Sequence, residues 1–113
     1  MPFITKTNQN FFWTDHSKYK MKFYRLSEAR VKRVLNSPKR IEEGIALNTI
    51  AMMQPASLKI SSGKQDWKQE IWVMIQETKT RRKIISAWRY PGKTKPGDPL
   101  PPEILTELKN LGS

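Results

Sequence analysis

The chain contains no cysteine and a single histidine, His16. Disulfide frameworks, thiolate metal sites and cysteine nucleophiles are therefore excluded, as are multi-histidine metal sites and two-histidine nucleases. No apolar run approaches the roughly 20 residues of a membrane span, and Met1-Pro2-Phe3-Ile4 lacks the apolar stretch of a secretory signal. Acidic residues are scarce: 10 Asp and Glu stand against 21 Lys and Arg in 113 residues, a net charge of +11. Four Trp, three Tyr and four Phe supply the bulk that a small core needs. These features describe a small basic domain, expected in the cytoplasm and away from membranes.

The positive charge is clustered. Lys18 to Arg40 holds nine basic residues and only Glu28 as an acid, a charge of +8. Lys79 to Arg89 holds five basic residues and no acid, leaving a remainder of −2. Such clustering is the electrostatic footprint of a polyanion binder, although solvated faces that keep a protein soluble produce it too.

Residues 1–10 read as a lead segment or an edge strand. Thr14 or Asp15 can cap a helix, but Lys18 to Tyr24 is ambiguous. Its alternation suits a strand, whereas His16, Lys20 and Tyr24 form a helical stripe. Ser27 caps a second helix whose Val31, Val34 and Leu35 make its apolar stripe, and Pro38 stops it. Strands follow over Thr49–Gln54, Glu70–Gln76 and Lys83–Tyr90, the last two forming an antiparallel hairpin. Ser61 to Asp66 reads as a loop, Lys93 to Pro102 as a Pro/Gly-rich arm, and Glu103 to Leu111 as a closing helix.

His16-Ser-Lys-Tyr-Lys20-Met21, Leu26-Ser27, Val31, Val34-Leu35 and Pro38-Lys-Arg-Ile-Glu-Glu-Gly44 together resemble the start of a bacterial domain-of-unknown-function family, numbered four-two-five-eight. That family opens with a His-x-x-x-Arg-Met helix, then a second helix and a strand reading Asn-Pro-x-x-[Ile/Val]-x-x-Gly. It is similar in element order to RelE/ParE-type toxins and to the barnase–EndoU–colicin–RelE ribonucleases. The resemblance spans residues 11–90 and favours a helix over 15–25. Lys20 stands where the family has arginine, Tyr24 where a second arginine is common, and Arg25 where glycine is usual.

The resulting expectation is an α+β fold: two N-terminal helices followed by a small antiparallel sheet in a RelE-like arrangement, with a Pro-rich arm and a short C-terminal helix. Its parts are a lead (1–10), the domain (11–90) and the arm with its helix (91–113). The expected function is RNA or ribosome binding, extended to metal-independent RNA cleavage by a toxin with an acidic antitoxin partner. No cofactor is called for.

For cleavage, His16, Lys20, Tyr24 and Arg89 are the candidate catalytic residues, because His can act as base or acid near neutral pH and cations stabilise the crowded phosphate. Arg25, Arg30, Arg33, Arg82, Ser86, Trp88 and Tyr90 are the candidate nucleic-acid contacts. Strand alternation groups Arg82, Ser86, Trp88 and Tyr90 on one face and Arg81, Lys83, Ala87 and Arg89 on the other. Trp72 reads as core, while Trp88 suits either core or base stacking. A non-catalytic RNA- or ribosome-binding module and a scaffold acting through the Pro-rich arm are the alternatives.

Overall fold

The structure, a computed structural model, describes residues 11–43, 48–98, 104 and 106. A short strand, β1 (Phe11–Trp13), opens the described chain, ahead of α1 (Asp15–Tyr24) and α2 (Glu28–Asn36). Six strands follow: β2 (Arg40–Glu43), β3 (Thr49–Pro55), β4 (Lys59–Ser61), β5 (Lys64–Asp66), β6 (Glu70–Glu77) and β7 (Arg82–Tyr90). Five of the seven strands form one mixed sheet in the order β1-β7-β6-β3-β2. β1 runs parallel to β7, and the other pairings in this sheet are antiparallel. β4 and β5 make a separate two-stranded ribbon.

This corrects the expected architecture. A strand precedes the helices, the sheet is five-stranded and mixed, and a second ribbon replaces the loop over Ser61–Asp66. Three residues of β1 are too few to register as alternation, and a parallel partner strand far along the chain leaves no local signal. The ribbon turns at Ser62 and Gly63, with φ of 52° and 77°. Two successive positive φ values are what a two-residue hairpin turn demands. No C-terminal helix figures among the described elements. Of 103–111 only Ile104 and Thr106 are described, both with helical backbone, and the lead over 1–10 lies outside the described residues.

Both helices start as their side chains require. Thr14 caps α1, its hydroxyl accepting from Ser17 N at 3.1 Å and donating to the Ile84 carbonyl at 2.9 Å. Ser27 caps α2 by accepting from Arg30 N at 3.0 Å, and Glu28 sits in the first turn, where the helix dipole favours an acid. α1 ends on Arg25 at φ 58°, a left-handed cap.

The sheet carries two cores. On one face α1 and α2 bury Met21, Leu26, Val31, Val34 and Leu35 against Met52, Ile71, Val73, Ile75, Ile84 and Ala87. Each fully buried aliphatic chain contributes about 1.5–3 kcal/mol. The opposite face gathers Ala51, Met53, Trp72, Met74, Ile85 and Trp88 under Ile104. There Trp72 and Trp88 stack with centroids 5.9 Å apart and planes within 2°, and the Arg40 guanidinium lies 5.2 Å from the Trp72 ring. Residues 93–98 cross toward this face and are held by Glu70 and Arg40.

Candidate nucleic-acid interface

Arg30, Arg33 and Arg89 come together between α2 and the end of β7, and Arg25 sits at the end of α1, next to the Tyr24 carbonyl that Arg89 bonds. Arg30, on the first turns of α2, reaches the end of β3. Its Nη1 donates to Gln54 Oε1 at 2.6 Å and its Nη2 to the Pro55 carbonyl at 3.0 Å. Gln54 in turn donates to the Arg33 and Ser37 carbonyls at 3.1 and 2.7 Å, so its side chain ties the end of β3 to the last turn of α2 as well as to Arg30. From β7, Arg89 Nη2 donates to the Tyr24 carbonyl at 3.2 Å. Arg25 follows Tyr24 directly and is exposed.

The electrostatics of this group are unusual. The Arg30 guanidinium is held below its usual value, first by burial and then by the neighbouring charges of Arg33 and Arg89. Its acceptors are neutral carbonyls, which orient a guanidinium without cancelling its charge. Among the described residues, no carboxylate lies within ion-pair distance of Arg25, Arg30, Arg33 or Arg89. Like charges held together form a site that an anion relieves.

Of the candidate catalytic residues, Lys20 is buried on α1, with Nζ 5.1 Å from the Tyr24 ring centroid and 5.8 Å from that of Phe23. Tyr24 is half-buried and meets Phe23 edge-on at 4.9 Å. Lys20, Tyr24 and Arg89 are thus contiguous. His16 is half-buried near the start of α1, two helical turns before Tyr24.

The remaining candidates are dispersed. A β-bulge disturbs the register of β7: Ile75 pairs with Ile84 but Met74 with Ser86, leaving Ile85 as the additional residue. The bulge breaks strict alternation, so Arg82 joins the helix-side face with Ile84, Ala87 and Arg89, and parts from Ser86, Trp88 and Tyr90. Arg82 also sits at the opposite end of β7 from Arg89, about 23 Å along the strand, with Nε 2.6 Å from Glu77 Oε1. Ser86 and Trp88 are buried, and Tyr90 is half-buried beside them.

Gln54, which organises the arginine cluster, carries no sequence signal: a glutamine at a strand end is unremarkable until the helix it clamps is seen. Trp67 lies between Lys64 and Lys68 in the sequence, an aromatic among cations that gives only a weak signal.

Among the described residues, no group of three His, Cys, Asp or Glu is placed to hold a metal ion. No described helix is long and apolar enough to cross a membrane. Comparison with known proteins returned no matching family model, no matching curated protein and no matching solved structure.

Proposed function

We propose that this protein binds RNA, free or within the ribosome, through the arginine cluster of Arg25, Arg30, Arg33 and Arg89, and that it does so in the cytoplasm. The observation that carries the reading is Arg30: a half-buried guanidinium oriented by neutral carbonyls and crowded by two further guanidiniums. Guanidiniums match phosphate oxygens with paired N–H donors, and phosphate contacts dominate the affinity of nucleic-acid binders. Fluorescence anisotropy with a labelled single-stranded RNA, repeated over a salt series, tests it. Affinity falls steeply with salt if phosphates are gripped, by about 0.7 in the logarithmic slope per contact. A flat salt response rejects the reading.

A second reading, metal-independent RNA cleavage of the kind RelE-type toxins perform, draws support from the contiguity of Lys20, Tyr24 and Arg89. In it His16 exchanges protons, the cations stabilise the phosphate, and an acidic antitoxin covers the basic surface. Expression then arrests growth, and His16→Ala combined with Arg89→Ala relieves the arrest. Harmless overexpression of the intact protein removes this reading and leaves RNA binding standing.

A further inference from the structure

Beside the arginine cluster lies a groove of about 280 Å³, walled by Trp67, with Ala56, Lys59, Asp66, Lys68 and Gln69 around it. It begins one residue beyond Pro55, whose carbonyl holds Arg30, and Ala56 N donates to the Gln69 carbonyl at 2.9 Å at its edge. Trp67 is half-buried, and its Nε1 donates to Glu70 Oε2 at 2.8 Å, which fixes the plane of the ring in advance. Two ammonium groups stand over that ring: Lys93 Nζ at 4.4 Å and Lys39 Nζ at 5.4 Å from the centroid.

We infer that this groove is a second nucleic-acid subsite, which takes an unpaired base against Trp67 while the surrounding lysines hold the flanking phosphates, so that the substrate class is single-stranded RNA. The inference rests on the RNA-binding reading and adds strandedness to it. The volume lies just below the roughly 300–1,000 Å³ typical of small-molecule clefts, which suits one base better than a large cofactor. The lining carries Lys59 and Lys68 with the acid Asp66, and Lys39 and Lys93 stand over the Trp67 ring, so the occupant is flat, uncharged where it touches the ring and anionic where it leaves the groove. A base on a phosphodiester backbone has those properties.

Stacking on the ring face that Lys39 and Lys93 cover needs these two to move aside, and their present bonds are weak. Lys93 holds Asp66 at 3.0 Å in an ion pair with exposed partners, and Lys39 donates to exposed Gln65 at 2.7 Å. Exposed pairs of this kind contribute little, so exchanging them for phosphate contacts meets little resistance. Glu70 links the ring to the rest of the fold, because the carboxylate that holds the Trp67 N–H also holds the Trp72 N–H and Thr94. The stacking surface is therefore rigid before the base arrives, which lowers the entropic cost of binding.

The test compares three labelled probes of about 12 positions, within the span of single-strand sites: a single-stranded RNA, the same sequence as a duplex, and an abasic phosphodiester of equal charge. The intact protein binds the single strand about tenfold more tightly than the abasic probe, and Trp67→Leu abolishes that difference while leaving abasic affinity unchanged. Trp67→Phe keeps an aromatic face and retains most of the preference. Because Trp67→Leu also removes a hydrogen bond to Glu70, a second readout guards against misfolding. The single strand quenches tryptophan emission in the intact protein, and Trp67→Phe, which retains Trp13, Trp72 and Trp88, loses the quenching. Equal affinity for single-stranded and abasic probes, with no quenching, overturns the groove subsite yet leaves salt-dependent binding at the arginines intact. Absence of salt-dependent binding to every probe overturns the RNA-binding reading itself.

Discussion

Glu70 and Thr94 are joined twice: the Thr94 amide donates to one carboxylate oxygen at 2.9 Å and its hydroxyl to the other at 2.7 Å. The same two oxygens accept the Trp67 and Trp72 indole N–H groups at 2.8 and 3.0 Å. A fully buried carboxylate thus has two donors on each oxygen and fastens the chain after β7 to the start of β6. Burial alone raises such a carboxyl, but the four donors outweigh it and hold Glu70 below the ordinary glutamate range.

A folded-state value below the unfolded one means that the unfolded chain binds more protons as the solution is acidified. Glu70 therefore contributes stability in full above the ordinary carboxyl range, and the contribution is lost as pH falls through the depressed folded value. Urea unfolding of the intact protein from neutral pH to pH about 3 shows this loss, and Glu70→Gln flattens that part of the profile. Glu70→Ala, which leaves two indoles and Thr94 without their acceptor, costs about 3 kcal/mol or more at neutral pH.

The second face of the sheet depends on what crosses it. Ile104 is 1% exposed against a core that includes the Trp72–Trp88 stack. Ile104→Ala lowers unfolding free energy by about 2–4 kcal/mol. Arg40 donates to the Thr94 and Lys95 carbonyls at 3.0 and 3.3 Å, so Arg40→Ala loosens the same segment more mildly. Chemical denaturation measures both losses, and dye binding to apolar surface rises in each variant.

Arg25 occupies a left-handed cap in which glycine is the ordinary choice, at φ 58°. A side chain there costs about 1 kcal/mol. Arg25→Gly consequently raises stability by up to about 1 kcal/mol, offset in part by the added freedom of the unfolded chain. It weakens RNA affinity because one cation of the cluster is gone. Opposite signs in the unfolding and binding assays are the expected outcome; a gain or loss in both contradicts it.

Within the cluster, Arg33→Gln removes a cation that is exposed, and it shallows the salt slope of RNA affinity by about 0.7 without changing the melting temperature. Arg30→Gln shallows the slope similarly but also destabilises the protein, because Gln54 and Pro55 lose their donor. The two variants separate charge from architecture.

Local chemistry was legible in the chain wherever a few adjacent residues decide the outcome. Ser27 and Pro38 bracket α2, and the short segment after Glu77 folds β6 onto β7. β1 and the β4–β5 ribbon were not legible, since each strand is only three residues long and β1 finds its partner across the whole domain. The facing of Arg82 departs from strict alternation for a different reason. One additional residue at Ile85 shifts the alternation, and a bulge depends on cross-strand pairing that no short window of sequence contains.

The sequence by itself determined that this chain is basic, that its charge concentrates in α1, α2 and β7, and where the principal helices and the main hairpin begin, because charge and capping are properties of neighbouring residues. Only the tertiary structure decided which cations act together. Arg30, Arg33 and Arg89 converge because Gln54 and the Tyr24 carbonyl clamp three elements at one end of the sheet, while Arg82 is carried to the other end and paired with Glu77. It also decided the fate of the tryptophans: Trp72 and Trp88 are buried on a face that includes Ile104, and Trp67 remains at the surface among lysines. Those outcomes depend on distances between segments far apart in the chain, which packing sets and composition does not.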